Sequence, residues 1–202
     1  MKRIVLSVLF TMVVLVPAVC YWHHRQASAL ERLSEEKRGV ELALSLLSGN
    51  MKMHYVYADR KLEDISLQDE SREEKKISEF LNGEEKLVFK FSTSNCSTCV
   101  QSGFSTLRKL MRNLSSDQLL VIADRSNRRE VRALANSLDL DFPIYMAEKG
   151  AFGDMLLNEN VPFVFVLGSD LRMKDLFIPM KELPDYTDMY YRIVWKKYFS
   201  KE

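Results

Sequence analysis

A chain of 202 residues, 47% of them apolar, has room for one core of ordinary domain size plus an appendage, which excludes disorder as its resting state. Its 29 Lys and Arg are balanced by 28 Asp and Glu, a net charge of +1, so composition supplies no bulk attraction to nucleic acid or to acidic partners. Three cysteines are too few for a disulfide-stapled scaffold and leave one over, so any pairing must be argued from context.

Ile4 to Trp22 runs for nineteen residues without a charge and ends in the aromatic pair Tyr21 and Trp22, the pattern of a membrane anchor. Lys2 and Arg3 favour a cytoplasmic N-terminus, which places the rest of the chain on the periplasmic side of a bacterial inner membrane, although Arg25 weakens the asymmetry. A cleavable signal ending at Ala27-Ser28-Ala29 competes with this reading, but His23, His24 and Arg25 sit where such signals seldom carry charge. Acylation at Cys20 is disfavoured by Pro17 and Val19, and Cys20 reads as a small apolar residue of the anchor.

Residues 27–48 place Leu30, Leu33, Val40, Leu44 and Leu47 at helical spacing between charged residues, predicting a helical stalk that stops near Gly49-Asn50. The expected division is an anchor over 1–25, a stalk over 26–50 and a domain over 51–202. "MKMHYVYA" (51–58) alternates like a strand. The charged run 69–85 predicts a solvated helix with Ile77, Phe80 and Leu81 inward, closed by Asn82-Gly83. Strand and helix then alternate: "KLVFKF" (86–91), a helix over 97–114, "QLLVIA" (118–123), a helix over 128–138, a short strand in "DFPIYM", and a helical "AFGDMLLNE" (151–159). "PFVFVLG" and "RMKDLFI" form a hairpin across Ser169-Asp170, and a last helix over 184–199 turns Tyr186, Met189, Tyr190, Ile193 and Val194 inward. This order predicts an α/β sandwich around a mixed sheet.

Cys96-Ser97-Thr98-Cys99 follows a strand and opens a helix. There, unpaired N–H groups and the positive end of the helix dipole favour a thiolate on Cys96, the form that attacks disulfides, and Cys99 one turn on can resolve the mixed disulfide. A zinc site would need two more soft ligands, and Cys20, His23 and His24 belong to the anchor while His54 stands alone. Two buried cysteines without chemical consequence are the remaining alternative.

"LVFKFSTSNCSTC" resembles the strand and active-site turn of thioredoxin-like proteins, above all the membrane-anchored TlpA-like thiol:disulfide oxidoreductases, and "NENVPFVFVLGSD" resembles their cis-proline loop. The resemblance covers roughly residues 62–200. It implies a thioredoxin-like three-layer sandwich, Cys96 and Cys99 as the redox pair, and Val161 and Pro162 shaping the groove for protein thiol or disulfide substrates. No organic cofactor and no metal is implied. The chain departs from the family pattern at Asn95 (usually aromatic), Phe104 (usually proline), Ser102 (often glutamate) and Lys90, which stands where thioredoxins carry a buried Asp. Lys90 either lies beneath the pair and favours the Cys96 thiolate, or packs its stem while its ammonium reaches solvent. A non-catalytic thioredoxin-fold binding module in an envelope assembly is the alternative function.

Arg125, Arg128, Arg129 and Arg132 read as a solvated helix face, with docking of an acidic partner as the second choice. The basic aromatic end "YYRIVWKKYF" offers a lipid-facing surface but reads more simply as a packing helix. Ten methionines are scattered rather than clustered for copper, and no Pro-x-x-x-Thr-x-x-Cys points to peroxide reduction.

Overall fold

The computed structural model describes residues 2–92, 94–95, 97–111, 114–124, 128–137, 142–148, 150–153 and 161–200, with backbone only for 2–14, 110, 111 and 116. The chain divides into two compact units, Met1–Ser45 and Leu46–Glu202. Among the described residues no helix is long and apolar enough to cross a membrane, and the anchor expected over Ile4–Trp22 falls largely on residues whose side chains lie outside that description.

The first unit is helical, part of α1 (Lys2–Tyr57), with Leu30, Leu33, Val40 and Leu44 exposed and Lys37 paired to Glu41 one turn on at 3.6 Å. The stalk helix does not stop at Gly49-Asn50. Asn50 is buried and turns its amide to Ile178, donating Nδ2–H to the Ile178 carbonyl at 3.2 Å and accepting the Ile178 N–H at 2.7 Å. The strand expected over 51–58 is helix as well. Leu46, Leu47, Asn50, Met53, His54 and Tyr57 are the sheltered positions, a spacing of three and four that only a helix produces. The apparent alternation of Met, His and Tyr was a coincidence of composition.

A seven-stranded mixed sheet forms the second unit, in the order β2-β1-β5-β4-β3-β6-β7. Its strands are β1 (Ser66–Gln68), β2 (Glu74–Lys76), β3 (Lys86–Phe91), β4 (Leu119–Asp124), β5 (Ile144–Ala147), β6 (Phe163–Leu167) and β7 (Met173–Phe177). β3, β4 and β5 run parallel, while β6, β7, β1 and β2 are antiparallel to their neighbours. All six residues of β3 and all six of β4 are buried, as expected for central strands covered on both faces.

Leu87, Phe89 and Phe91 face a core completed by α3 (Ser97–Met111), α4 (Arg128–Ser137) and α5 (Pro184–Val194), through Val100, Phe104, Leu107, Val131, Tyr191 and Val194. Val88, Ile122, Phe163 and Phe165 face a second core closed by α2 (Ile77–Leu81), Leu62, Ile65 and Phe152, with Met53 and Tyr57 packed against it. Gly103 makes the first core tight. A Cβ there would lie 2.9 Å from the Phe89 ring, which itself stacks on Phe104 at 4.4 Å.

Most of the expected helix over 69–85 is instead a hairpin. Asp69 Oδ1 accepts the Glu73 N–H at 2.9 Å, Arg72 takes a φ of 72°, and β2 pairs with β1 at the sheet edge. An edge strand whose three residues, Glu74, Lys75 and Lys76, are all exposed carries no alternation to betray it. Only α2 remains helical, ended as expected by Asn82 at φ 49°. In α5 the buried face is Thr187, Tyr191 and Val194; Tyr186, Met189 and Ile193 are exposed, so the inward stripe is rotated from the expected one. The helix then loosens into a π turn over Trp195–Phe199. Only 151–153 of the expected helix 151–159 is described, and it forms a turn. The Val161–Pro162 bond is trans, not cis as the resemblance implied, and among the described residues no peptide bond is cis. Trans is the lower-energy isomer by about 0.5–1 kcal/mol and holds unless packing selects the other.

β7 carries a bulge, since Val164 and Val166 pair with Phe177 and Lys174, and it holds Asp175 at φ 48°. The Asp175 carboxylate accepts Lys197 Nζ at 2.8 Å and the Tyr198 hydroxyl at 2.7 Å, while its carbonyl accepts the Tyr190 hydroxyl at 2.7 Å. Burial pushes the Asp175 pKa up, but the hydrogen bonds from Lys197 and Tyr198 outweigh it and leave the group below the usual 3.8.

Gly49, with nothing within 4 Å of its Cβ position, should gain up to about 1 kcal/mol as Ala, whereas Gly103→Ala should lose about 1–2 kcal/mol because the Phe89 ring must move; urea unfolding measures both. Asp175→Asn should destabilise the fold at neutral pH. A carboxylate with a depressed folded pKa contributes stability above 3.8 that is lost as pH falls through the folded value, so the difference from wild type should close in acid.

Candidate functional site around the Cys-Ser-Thr-Cys turn

β3 leads from the sheet into the turn Ser92–Asn95 and then into α3. Asn95 explains the missing aromatic residue. Its Oδ1 accepts the Ser92 N–H at 2.7 Å and its own N–H donates to the Ser92 carbonyl at 3.0 Å, so one buried side chain closes the turn on itself. The Ser92 hydroxyl adds a bond to the Ser94 N–H at 3.1 Å. Phe104, where the resemblance leads one to expect proline, is buried in the core against Phe89 and Phe91.

Cys96 lies outside the described residues. Cys99 is half-buried in the first turn of α3, preceded by exposed Ser97 and Thr98 and followed by fully buried Val100. The first turn of α3 contributes no acidic side chain of its own to offset the positive end of the helix dipole.

Antiparallel pairing of β6 with β3 sets Phe163 opposite Lys90. Buried Pro162 and half-buried Val161 immediately precede β6, at the end of the sheet where β3 runs out at Phe91. Thus the topology brings Val161 and Pro162 to the same sheet end as the cysteine motif.

Lys90 does not send its ammonium to solvent. It is buried beside Asp124, with Nζ 3.1 Å from each carboxylate oxygen and 5.5 Å from the Phe163 ring centre. Lys90 shares its sheet face with Val88 and Phe163, whereas α3 packs on the face of Phe89 and Phe91. Its charge is met by a carboxylate whose position, two residues beyond its β4 partner Ile122, the sequence offered no periodic signal to find.

Arg128 is likewise structural: its guanidinium donates to the Asp69 and Glu70 carbonyls at 3.1 and 3.0 Å and to Gln68, clamping the β1–β2 hairpin. Arg132 reaches Glu70 at 3.7 Å, and Arg125 lies outside the described residues. A cleft of about 710 Å³ lined by Arg60, Asp64, Glu74, Lys76 and Glu148 contains none of the residues expected to carry chemistry.

Sequence reasoning also missed Lys181. From the loop between β7 and α5, its Nζ donates to Thr98 Oγ1 at 3.2 Å, across a separation of 83 residues that no local pattern bridges.

No family model and no curated protein sequence matches the chain. Solved structures do. A thiol:disulfide interchange protein from a Bacteroides species superposes with a TM-score of 0.51 at 12% identity, over 72% of this chain and 92% of that one. DsbE from Chlorobium tepidum, a candidate thiol:disulfide interchange protein, gives 0.52 at 10% identity over 67% of this chain and 96% of that one. Peroxidoxin BcpB from Mycobacterium tuberculosis gives 0.50 at 14% identity over 68% and 97%. Identities this low speak to architecture alone: the second unit has the thioredoxin-like α/β fold built on a mixed sheet.

Proposed function

We propose that the chain is a membrane-tethered thiol:disulfide oxidoreductase that exchanges disulfides with extracytoplasmic proteins through Cys96 and Cys99. The observation that carries this reading is the position of Cys99 in the first turn of α3, directly after a central strand of a thioredoxin-like sheet. The uncharged run Ile4–Trp22, with Lys2 and Arg3 before it, supports a single N-terminal tether and a domain in the bacterial periplasm. The expected stalk over 26–50 belongs to the same proposal.

In the reducing direction the Cys96 thiolate attacks one sulfur of a partner's disulfide, forming a mixed disulfide, and the other partner sulfur leaves and takes up a proton. Cys99 then loses its proton and attacks the Cys96 sulfur, the mixed disulfide breaks, and the partner's second sulfur leaves and is protonated. The partner gains two electrons and two protons, and Cys96 and Cys99 end as a disulfide; oxidation is the reverse. Val161, through its backbone, and Pro162 border the groove that would take the partner's segment. Turn closure by Asn95 and core packing by Phe104 account for the two departures from the family pattern.

The test is a glutathione redox series on the full chain carrying Cys20→Ser in mild detergent, read by thiol alkylation beside Cys96→Ala and Cys99→Ala. We expect a reversible two-electron transition, lost in both variants, with a midpoint between about −270 and −120 mV. A pair that never forms a disulfide, or never releases one, would make the chain a non-catalytic binding module. Lys90 enters through stability. Lys90→Met should cost about 3 kcal/mol by leaving Asp124 buried and unpaired, and Lys90→Met/Asp124→Leu should recover most of it. Because the pair is removed as a neutral unit, thiol titration of the double variant should match wild type.

A further inference from the structure

We infer that Lys181 is a positioning residue for the thiol pair, holding a positive charge beside the Cys-Ser-Thr-Cys turn that favours its thiolate. The inference rests on the function proposed above. Thr98, whose hydroxyl accepts the Lys181 ammonium at 3.2 Å, stands between the two cysteines and is adjacent to Cys99.

The loop bearing Lys181 is fixed from three sides. Fully buried Thr187 accepts the Met180 N–H at 3.0 Å and donates to the Met180 carbonyl at 3.2 Å, so the residue before Lys181 is held through both backbone groups. Pro179 packs on α3, 3.5 Å from the Cβ position of Gly103. Asn50 holds both backbone groups of Ile178. The three residues before Lys181 are thus each held.

Electrostatics give that position its meaning. A helix N-terminus is positive and ordinarily attracts anions, and the first turn of α3 has no acidic side chain. A lysine held at Thr98 adds to that positive field, and a thiolate is the anion that a cysteine of this turn can generate. Glu182 moderates the effect, its carboxylate lying 3.8 Å from the ammonium. Lys181 is 41% exposed in its side chain, so its influence is modest and sensitive to salt.

The experiment titrates the thiols of the full chain carrying Cys20→Ser in mild detergent, by thiolate absorbance and by iodoacetamide rate against pH, with mass spectrometry naming the cysteine that reacts. Lys181→Met should raise the pKa of the reactive thiol by about half a unit and slow its alkylation at neutral pH about three-fold. Lys181→Arg should restore the wild-type profile, and Glu182→Gln should shift it the opposite way. In 1 M salt, where the screening length is about 3 Å, the difference between wild type and Lys181→Met should shrink. A reactive cysteine with the same pKa in wild type and Lys181→Met overturns the inference and leaves the proposed function standing. A wild type in which neither cysteine ionises below the ordinary thiol value of about 8.5 removes the thiolate itself, and the inference with it.

Discussion

The arrangement of this domain depends on how closely α3 approaches β3. With a hydrogen where other residues carry a methyl, Gly103 allows the helix to settle onto the Phe89 ring, and Phe104 then stacks on that same ring and meets Phe91 edge-on at 5.5 Å. That contact fixes the start of the helix relative to the end of the strand. The Ser92–Asn95 turn has to close within that fixed gap, and a polar side chain that hydrogen-bonds the backbone closes it. Pro179 rests against the same glycine, so one missing side chain positions both the cysteine helix and the loop that flanks it.

The sequence was most legible where burial and periodicity coincide. β3 and β4 are six-residue runs rich in Leu, Val, Ile and Phe and buried throughout, α4 sets a single buried Val131 among charged neighbours, and the β6–β7 hairpin turns where Ser169-Asp170 stands. It was least legible where tertiary partners override local pattern. Asn50 resembles a helix terminator until Ile178 is seen to use its amide, and the β1–β2 hairpin is written in edge residues whose only requirement is to be charged. In α5 the apolar residues outnumber the buried positions, so the inward stripe could not be chosen until Thr187, a polar residue, was found at its centre with no exposed surface.

The candidate site divides along the same line. Cys96 and Cys99 announce themselves by spacing and by their place between strand and helix, and the start of β6 locates Val161 and Pro162. Charges around the turn do not announce themselves. Lys90 looked like a lone cation near the pair, but Asp124 from the neighbouring parallel strand neutralises it on the opposite sheet face. The lysine that does stand beside the turn arrives from a loop distant in sequence, placed there by the hydrogen bonds of Thr187 and Asn50. Spacing along a chain nominates candidate groups; the field around them is set by contacts between segments remote from one another.

Asn50 also bears on where this domain can be cut. The boundary suggested by sequence, at Met51, would remove the one side chain that occupies both the N–H and the carbonyl of Ile178, and so release the loop that carries Pro179, Met180 and Lys181. Starting at Leu46, the first residue of the compact second unit, retains Asn50 together with a second acceptor for its amide, the Leu46 carbonyl at 3.5 Å. The last three turns of α1 thus belong with the domain, and a fragment lacking them would misreport the surroundings of its own cysteines.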